Sequence, residues 1–418
     1  VTEAAPTELN VILIFGIILI AGYIAGKIAN LIKLPRITGY IAAGIFLEPS
    51  FSGILPQQFI HSSSVISSFA LCIITYAIGG SLNFRRIRKL GKSILWMTFL
   101  EAETAFLLVF AGLFLTLPLL SRYAGLTIEP AYYLPLALLA GALASPTDPT
   151  AAIAVKEEYK ADGPVTRTIL GIAALDDATG IINFSIATAI SITFLGHGAG
   201  GIGATLFPPL RDILFSAMLG AGFALLLLAF ARKVKDGGVM IVLILGALFA
   251  CFGTAQALKL DELLSTMTLG CVTVNLAKDI NKYFVSIRDY LEEVIFVIFF
   301  VLAGAHLQLQ VLKSSLLIVA VFVICRTLGK VAGAHVGAVI SKAPVNVRKY
   351  TAFGLIPQGG IVVGLALMMR QDPVFSDISL FLLNLILGTT VFHEFIGPLF
   401  AEMALKRSKE VGKQKSNP

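Results

Sequence analysis

The chain is 418 residues long, 57% hydrophobic and only 14% charged, with a mean hydropathy of +0.88. Soluble domains carry about 45–50% apolar and about 25% charged residues, so this composition excludes a soluble globular protein and indicates an integral membrane protein. Four cysteines (Cys72, Cys251, Cys271, Cys325) lie in apolar segments without CxxC spacing, which argues against a disulfide framework or a zinc site, and the net charge of +7 sorts by loop rather than marking a nucleic-acid surface.

Apolar runs long enough to cross about 30 Å of hydrocarbon occur about thirteen times. They lie near residues 9–29, 37–50, 62–81, 93–118, 130–155, 164–194, 209–231, 238–257, 262–277, 290–308, 314–340, 350–369 and 377–404. The stretch ahead of the first run lacks the basic flank of a signal peptide. The second run is short and carries Gly39, Gly44 and Pro49; the fourth carries Glu101 and Glu103. The fifth is interrupted by Leu143-Ala144-Ser145-Pro146-Thr147-Asp148-Pro149-Thr150, and the sixth holds the adjacent carboxylates Asp176 and Asp177. The eleventh carries Arg326 and Lys330, the twelfth is interrupted by Pro357, Gly359 and Gly360, and the last carries His393-Glu394.

Short loops between these runs predict one membrane domain with no soluble module. With the N-terminus outside, the inside loops and the tail collect 25 of the 32 basic residues and the outside loops five. That split follows the positive-inside rule and places the C-terminus in the cytoplasm.

Proline removes a backbone donor and glycine lets the chain unwind, so the fifth and twelfth spans are expected to be broken helices. Broken helices are tolerated at membrane depth only where they are buried or line a cavity, and paired interruptions point to a transporter's binding site. Each ionised aspartate at mid-membrane costs roughly 2.5–3.5 kcal/mol on insertion scales, so Asp176 and Asp177 are expected to bind a proton, a small cation or a basic side chain. Their titration is coupled. Competition between H⁺ and a cation for one carboxylate, with alternating access, is sufficient for antiport.

Lys330 and Arg326 lie one turn apart on one helix face. Lys330 is too far from the basic loop to snorkel and is expected to pair with an intramembrane carboxylate; for Arg326 the alternatives are a countercharge or an ion pair with Glu101 or Glu103. Asp148 and Thr147 either neutralise the positive half-helix ends or simply cap the second half-helix. Glu101 and Glu103 read as a structural pair, with ion ligation as the alternative. His393-Glu394 is left between a gate and an internal hydrogen bond, and His61, His197, His306 and His335 show no metal spacing.

The segment Pro35–Pro49, Thr147-Asp148, Asp176-Asp177 and Arg326 with Lys330 resemble the monovalent cation:proton antiporter superfamily, most closely its electrogenic bacterial sodium/proton antiporters of the paired-aspartate type. The resemblance covers almost the whole chain. It implies an all-α polytopic membrane protein of about 13 transmembrane helices, with inverted repeats and two crossed discontinuous helices. A core of residues 62–194 and 290–404 would move against a dimerisation part of residues 9–50 and 209–277.

By the same resemblance, Asp177 is the main Na⁺- and proton-binding carboxylate, and Asp176 makes a salt bridge to Lys330 during the cycle. Thr147 and Asp148 sit at the crossover, whose breaks are Pro146, Pro149, Pro357, Gly359 and Gly360. From their places in the spans rather than from the resemblance, Glu101, Glu103 and Glu394 are candidate accessory residues. Two departures stand out. Thr147-Asp148-Pro149 is similar to the electroneutral branch, which has Asn-Asp where this chain has Asp176-Asp177, and which has a glutamate where this chain has Ile172. The expectation is a secondary antiporter in the inner (cytoplasmic) membrane, not an enzyme, needing no cofactor, working as a homodimer in lipid. It would exchange cytoplasmic Na⁺ or Li⁺ for external H⁺. K⁺/H⁺ exchange and sodium-coupled symport of an organic solute are the alternatives, and a channel is disfavoured because no filter-like motif is present.

Overall fold

The computed structural model describes residues 11–32, 34, 36–49, 51–85, 91–123, 128–148, 156, 159–197, 202–232, 234, 237–277, 279, 283–284, 291–307, 312–313, 315–370 and 372–412. The chain is nearly all helical. In order the main helices are α1 (Val11–Leu31), α2 (Arg36–Leu47), α3 (Ser64–Ser81), α4 (Lys92–Tyr123), α5 (Tyr133–Ala142), α6 (Pro164–Ile192) and α7 (Ile202–Ala231). They continue as α8 (Gly237–Ala257), α9 (Glu262–Leu276), α10 (Glu292–Ala305), α11 (Leu316–Ile340), α12 (Ile361–Met369) and α13 (Ser376–Arg407).

Among the described residues seven helices are long and apolar enough to cross a membrane: α1, α4, α6, α7, α8, α11 and α13. Their outward faces carry large apolar side chains such as Ile12, Ile20, Leu115, Leu214, Met218 and Val242, the kind of surface that lipid solvates.

The two runs expected to break do so. In the fifth, α5 stops at Ala142 and residues 143–148 leave the helix, because Pro146 cannot donate to the preceding turn. In the twelfth, a short helix Val345–Tyr350 tightens into a 3-10 turn, Thr351–Leu355, before α12 resumes at Ile361. Pro149 and Thr150 lie outside the described residues.

Two close helix pairs fix the scaffold. Gly329, Gly333 and Gly337, four residues apart on α11, lie against the α4 backbone at Ala105, Glu101 and Met97. Small residues at this spacing let two helices approach to backbone contact, where dispersion replaces the missing hydrophobic drive of a lipid solvent. Gly44 of α2 and Gly304 of α10 meet in the same manner. An added Cβ at Gly333 would overlap the Glu101 Cα at 2.6 Å. Gly333→Leu is therefore expected to force α11 off α4 and destabilise the protein by about 1–3 kcal/mol, which thermal unfolding in detergent would register as a lowered midpoint.

Candidate functional site

The site begins with two stretches of broken backbone that cross and pair. Asp148 N–H donates to the Pro357 carbonyl at 3.2 Å, and Gly359 N–H donates to the Pro146 carbonyl at 3.2 Å. Thr147 and Gln358 face each other between these bonds as an isolated antiparallel bridge. Unwound backbone has to find partners at membrane depth, and each break supplies some for the other.

The carbonyls of both breaks converge on Arg326, two of them already shared with the crossover bonds. Its Nε donates to Ala144 O at 3.0 Å and its Nη1 to Ile356 O at 2.6 Å; its Nη2 donates to Pro146 O at 2.8 Å and Pro357 O at 3.1 Å. The side chain is fully buried. A guanidinium has five donors in a fixed planar fork and stays charged when desolvated, so it can serve two strands of carbonyl oxygens at once. Here it sits where the first half-helix and the 3-10 turn present their negative ends. Arg326 was expected as a countercharge or in an ion pair with Glu101 or Glu103. Its hydrogen bonds go to four backbone oxygens, with Glu101, Asp176 and Glu394 as its charged neighbours.

One turn further along α11, Lys330 forms a second node. Its Nζ donates to Ser145 O at 2.5 Å, Thr147 Oγ1 at 2.7 Å and Glu101 Oε2 at 2.8 Å, and reaches Asp176 Oδ2 at 3.4 Å. An ammonium has three donors. The three shorter contacts saturate them, leaving Asp176 as the loosest partner. Glu101, read from sequence as half of a structural pair with Glu103, is thus the close ionic partner of Lys330, and both side chains are fully buried.

Adjacent residues on a helix point about 100° apart, and the aspartate pair divides accordingly. Asp176 is buried and faces Lys330. Asp177 is only half-buried and lies beside Gly359, where an added Cβ would come within 3.2 Å of its Oδ1. Asp148, at the first break, is its electrostatic neighbour. Gly180 completes this approach, since any side chain there would strike the Pro146 ring.

Four carboxylate oxygens among the described residues, Glu101 Oε1, Asp176 Oδ1, Asp177 Oδ1 and Glu394 Oε2, are buried with no hydrogen-bond partner. Buried polar atoms of native proteins are nearly always satisfied. Unsatisfied carboxylate oxygens of this kind have the chemistry that protons and hard cations take, since such cations are bound by oxygen ligands.

The remaining predicted residues lie further out. Glu103 Oε1 accepts from Asn183 Nδ2 at 3.1 Å, away from Lys330. Glu394 is buried and interacts with Asp148, and its neighbour His393 is bonded through Nδ1 to Gln358 Oε1 at 2.9 Å. The His393 ring is therefore part of the support of the second break. Sequence reasoning missed Ser145, Gln358 and Asn183. Ser145 and Gln358 lie inside the two expected breaks and Asn183 two turns after Asp176 on the same helix, which were the signals available.

The family model described as sodium/hydrogen exchanger, transmembrane, matches residues 15–407. Na(+)/H(+) antiporter 1 of Methanocaldococcus jannaschii is 25% identical over 406 residues, covering 91% of this chain and 90% of the relative. The high-affinity Na(+)/H(+) antiporter NhaS3 of Synechocystis is 22% identical over 411 residues, covering 86% and 83%. Among solved structures, the sodium proton antiporter MjNhaP1 of Methanocaldococcus jannaschii at pH 8 superposes with a TM-score of 0.73 at 18% identity. That match covers 96% of this chain and 99% of the other.

Proposed function

The chain belongs to the sodium/hydrogen exchanger family, and from that premise we propose that it exchanges cytoplasmic Na⁺ for external H⁺ electrogenically, with Li⁺ as a second accepted cation. It is a multi-pass membrane protein and a transporter, of a fold shared with the archaeal antiporter. Asp177 is the carboxylate for which the two ions compete. Asp176 supports it, and Thr147 and Asp148 hold the crossover around it.

The observation that carries this reading is the imbalance of buried charge. Arg326 and Lys330 are buried with four buried carboxyl side chains, Glu101, Asp148, Asp176 and Glu394, and with half-buried Asp177 beside them. An uncompensated buried charge is strongly unfavourable. Protons or a monovalent cation offset that excess of negative charge, and exchanging one cation for more than one proton moves net charge across the membrane in each cycle. Glu101 is the fixed partner of Lys330, while Asp176, at 3.4 Å, is the partner that comes and goes.

Packing adds detail to the moving parts. α3 packs on α9, and α10 packs on α1 and α2. We accordingly group α3 and α10 with the residue 9–50 and 209–277 part, which forms the homodimer interface, while the rest of 62–194 and 290–404 carries the ion. The N-terminus lies outside and the C-terminus in the cytoplasm.

The test is purified protein in sealed liposomes with a lumenal pH dye, energised by a proton gradient. Na⁺, Li⁺ and K⁺ are added in turn, with and without a clamped membrane potential. Alkalinisation of an acid lumen by Na⁺ and Li⁺, sensitive to potential, is the expected result. A response to K⁺ alone, or to no cation, refutes the assignment. In the same assay Lys330→Ala is expected to be insensitive to potential or nearly silent, because one positive charge has left the transported cluster. A Lys330→Ala protein with wild-type voltage sensitivity would remove lysine from the mechanism.

A further inference from the structure

α6, the helix of Asp176 and Asp177, begins abruptly. Gly163 precedes it with no side-chain cap of its own, and Pro164 occupies the first helical position. The first free amides of a helix need acceptors, and an uncapped start frays. Here the acceptors arrive from 245 residues away. Glu410, just past the end of α13, accepts from Val165 N–H at 2.8 Å with Oε1 and from Thr166 N–H at 2.8 Å with Oε2. The Thr166 hydroxyl donates to the same Oε2 at 2.7 Å. Although it stands in a basic tail, Glu410 is only 3% exposed.

The chain around it is shaped for this contact. Lys409 adopts a left-handed φ of 60°, uncommon for a residue with a Cβ. It closes α13 as a Schellman turn, with Glu410 N–H on Leu405 O and Lys409 N–H on Lys406 O. That reversal aims the Glu410 carboxylate at the start of α6. Gly163 leaves the space it enters, since a Cβ there would overlap the Glu410 side chain. Two backbone bonds extend the contact: Asp162 N–H to Glu410 O at 3.2 Å and Gly412 N–H to Tyr159 O at 3.0 Å. Tyr159 in turn donates to Glu402 of α13 at 2.9 Å and lies under Lys406.

We propose that Glu410 is a positioning residue for the ion site: its carboxylate, delivered by the end of α13, caps α6 and fixes the height and tilt at which that helix presents Asp176 and Asp177 to the crossover. The carboxylate sits about 15 Å from the aspartates along the helix axis, given the rise of about 1.5 Å per residue. α13 meets the crossover through His393 and Gln358, and it meets α6 again through Glu410. These two ties hold α6, the second break and α13 in one register. A negative charge at a helix N-terminus also matches the helix dipole, which a glutamine cannot reproduce.

This inference rests on the exchange reading above, and its test separates the two. Wild type, Glu410→Gln, Glu410→Ala, Thr166→Val and the Glu410→Ala/Thr166→Val double variant are reconstituted. Proton movement is measured across a range of Na⁺ concentrations, and amide hydrogen exchange is followed over residues 164–180. Both Glu410 variants are expected to raise the half-saturating Na⁺ concentration about five- to tenfold, as the fraction of site-competent α6 falls. Their maximal rate should stay within about twofold of wild type, and exchange at Val165 and Thr166 should accelerate. The Thr166 change should add less in the double variant than it does alone, because the contact is then already lost. Accelerated amides with unchanged half-saturation would make Glu410 a local cap only and overturn the proposal, as would amides protected as in wild type. If wild type itself moves no protons with any cation, the exchange reading fails. The amide arm then decides the cap by itself, with unaltered protection in Glu410→Gln overturning it.

Discussion

Asp177→Asn is expected to abolish exchange while leaving a folded, inserted protein. The substitution keeps the size and one acceptor oxygen of the side chain but removes the proton it can exchange. Its Oδ1 makes no hydrogen bond in the structure and the residue is half-buried, so no packing or bonded partner is lost with the charge. Leaving a transported cation without its carboxylate costs about 3 kcal/mol or more, which at about 1.4 kcal/mol per tenfold is a loss of at least about a hundredfold in affinity. Proton-gradient dissipation in liposomes by the variant should fall to background, with an elution profile and thermal unfolding midpoint like those of wild type. Normal exchange by Asp177→Asn would remove the central residue from the mechanism. The matching change Asp176→Asn should weaken exchange less, since Lys330 keeps Glu101 as its closer partner.

Arg326→Leu is expected to damage the protein in a different way, through the scaffold. Two backbone oxygens, Ala144 O and Ile356 O, lose their donor at once in a fully buried place, while Pro146 O and Pro357 O each lose one of two donors. A buried acceptor left without a partner costs about 1–3 kcal/mol. Relaxation will absorb part of the total, and a net loss of about 3–5 kcal/mol is expected, as for other broken buried charge networks. Folded protein should be recovered in low yield, with a strongly lowered unfolding midpoint. Arg326→Lys is the informative companion. It restores the charge but offers one point donor in place of a fork, so it should recover part of the stability and less of the transport. A Leu variant that melts and transports like wild type would show that the crossover does not need the clamp.

Much of this site could be read from residue types before any coordinates. Asp176, Asp177 and Lys330 stand out because an ionisable group inside an apolar run is costly, and Pro146 and Pro357 because proline cannot continue a helix. The helical architecture and the family followed from the same residues. Depth and direction did not follow. Glu101 and Glu103 are two residues apart and alike in sequence, yet one faces Lys330 and the other Asn183; only the packing of α4 on α11 decides which. The clamp by Arg326 was out of reach for another reason. Its partners are carbonyl oxygens, which every residue carries and no sequence marks. Glu410 was hidden for a third, since its contact joins segments 245 residues apart through a turn with a lysine where glycine is usual.

The glycine stripe that seats α11 on α4 bears on speed as well as on shape. Lys330 and Glu101 belong to the two helices that this stripe holds at backbone contact, so neither can withdraw without prising the pair apart. Bringing a charge of this kind out of water carries a penalty of several kcal/mol, and each 1.36 kcal/mol added to a barrier slows a step about tenfold. A cycle that exposed and reburied the lysine at every turnover would be slower by orders of magnitude. Helices held this closely would travel as one body, so dehydration of that pair would happen once, when the chain folds, and not at each turnover.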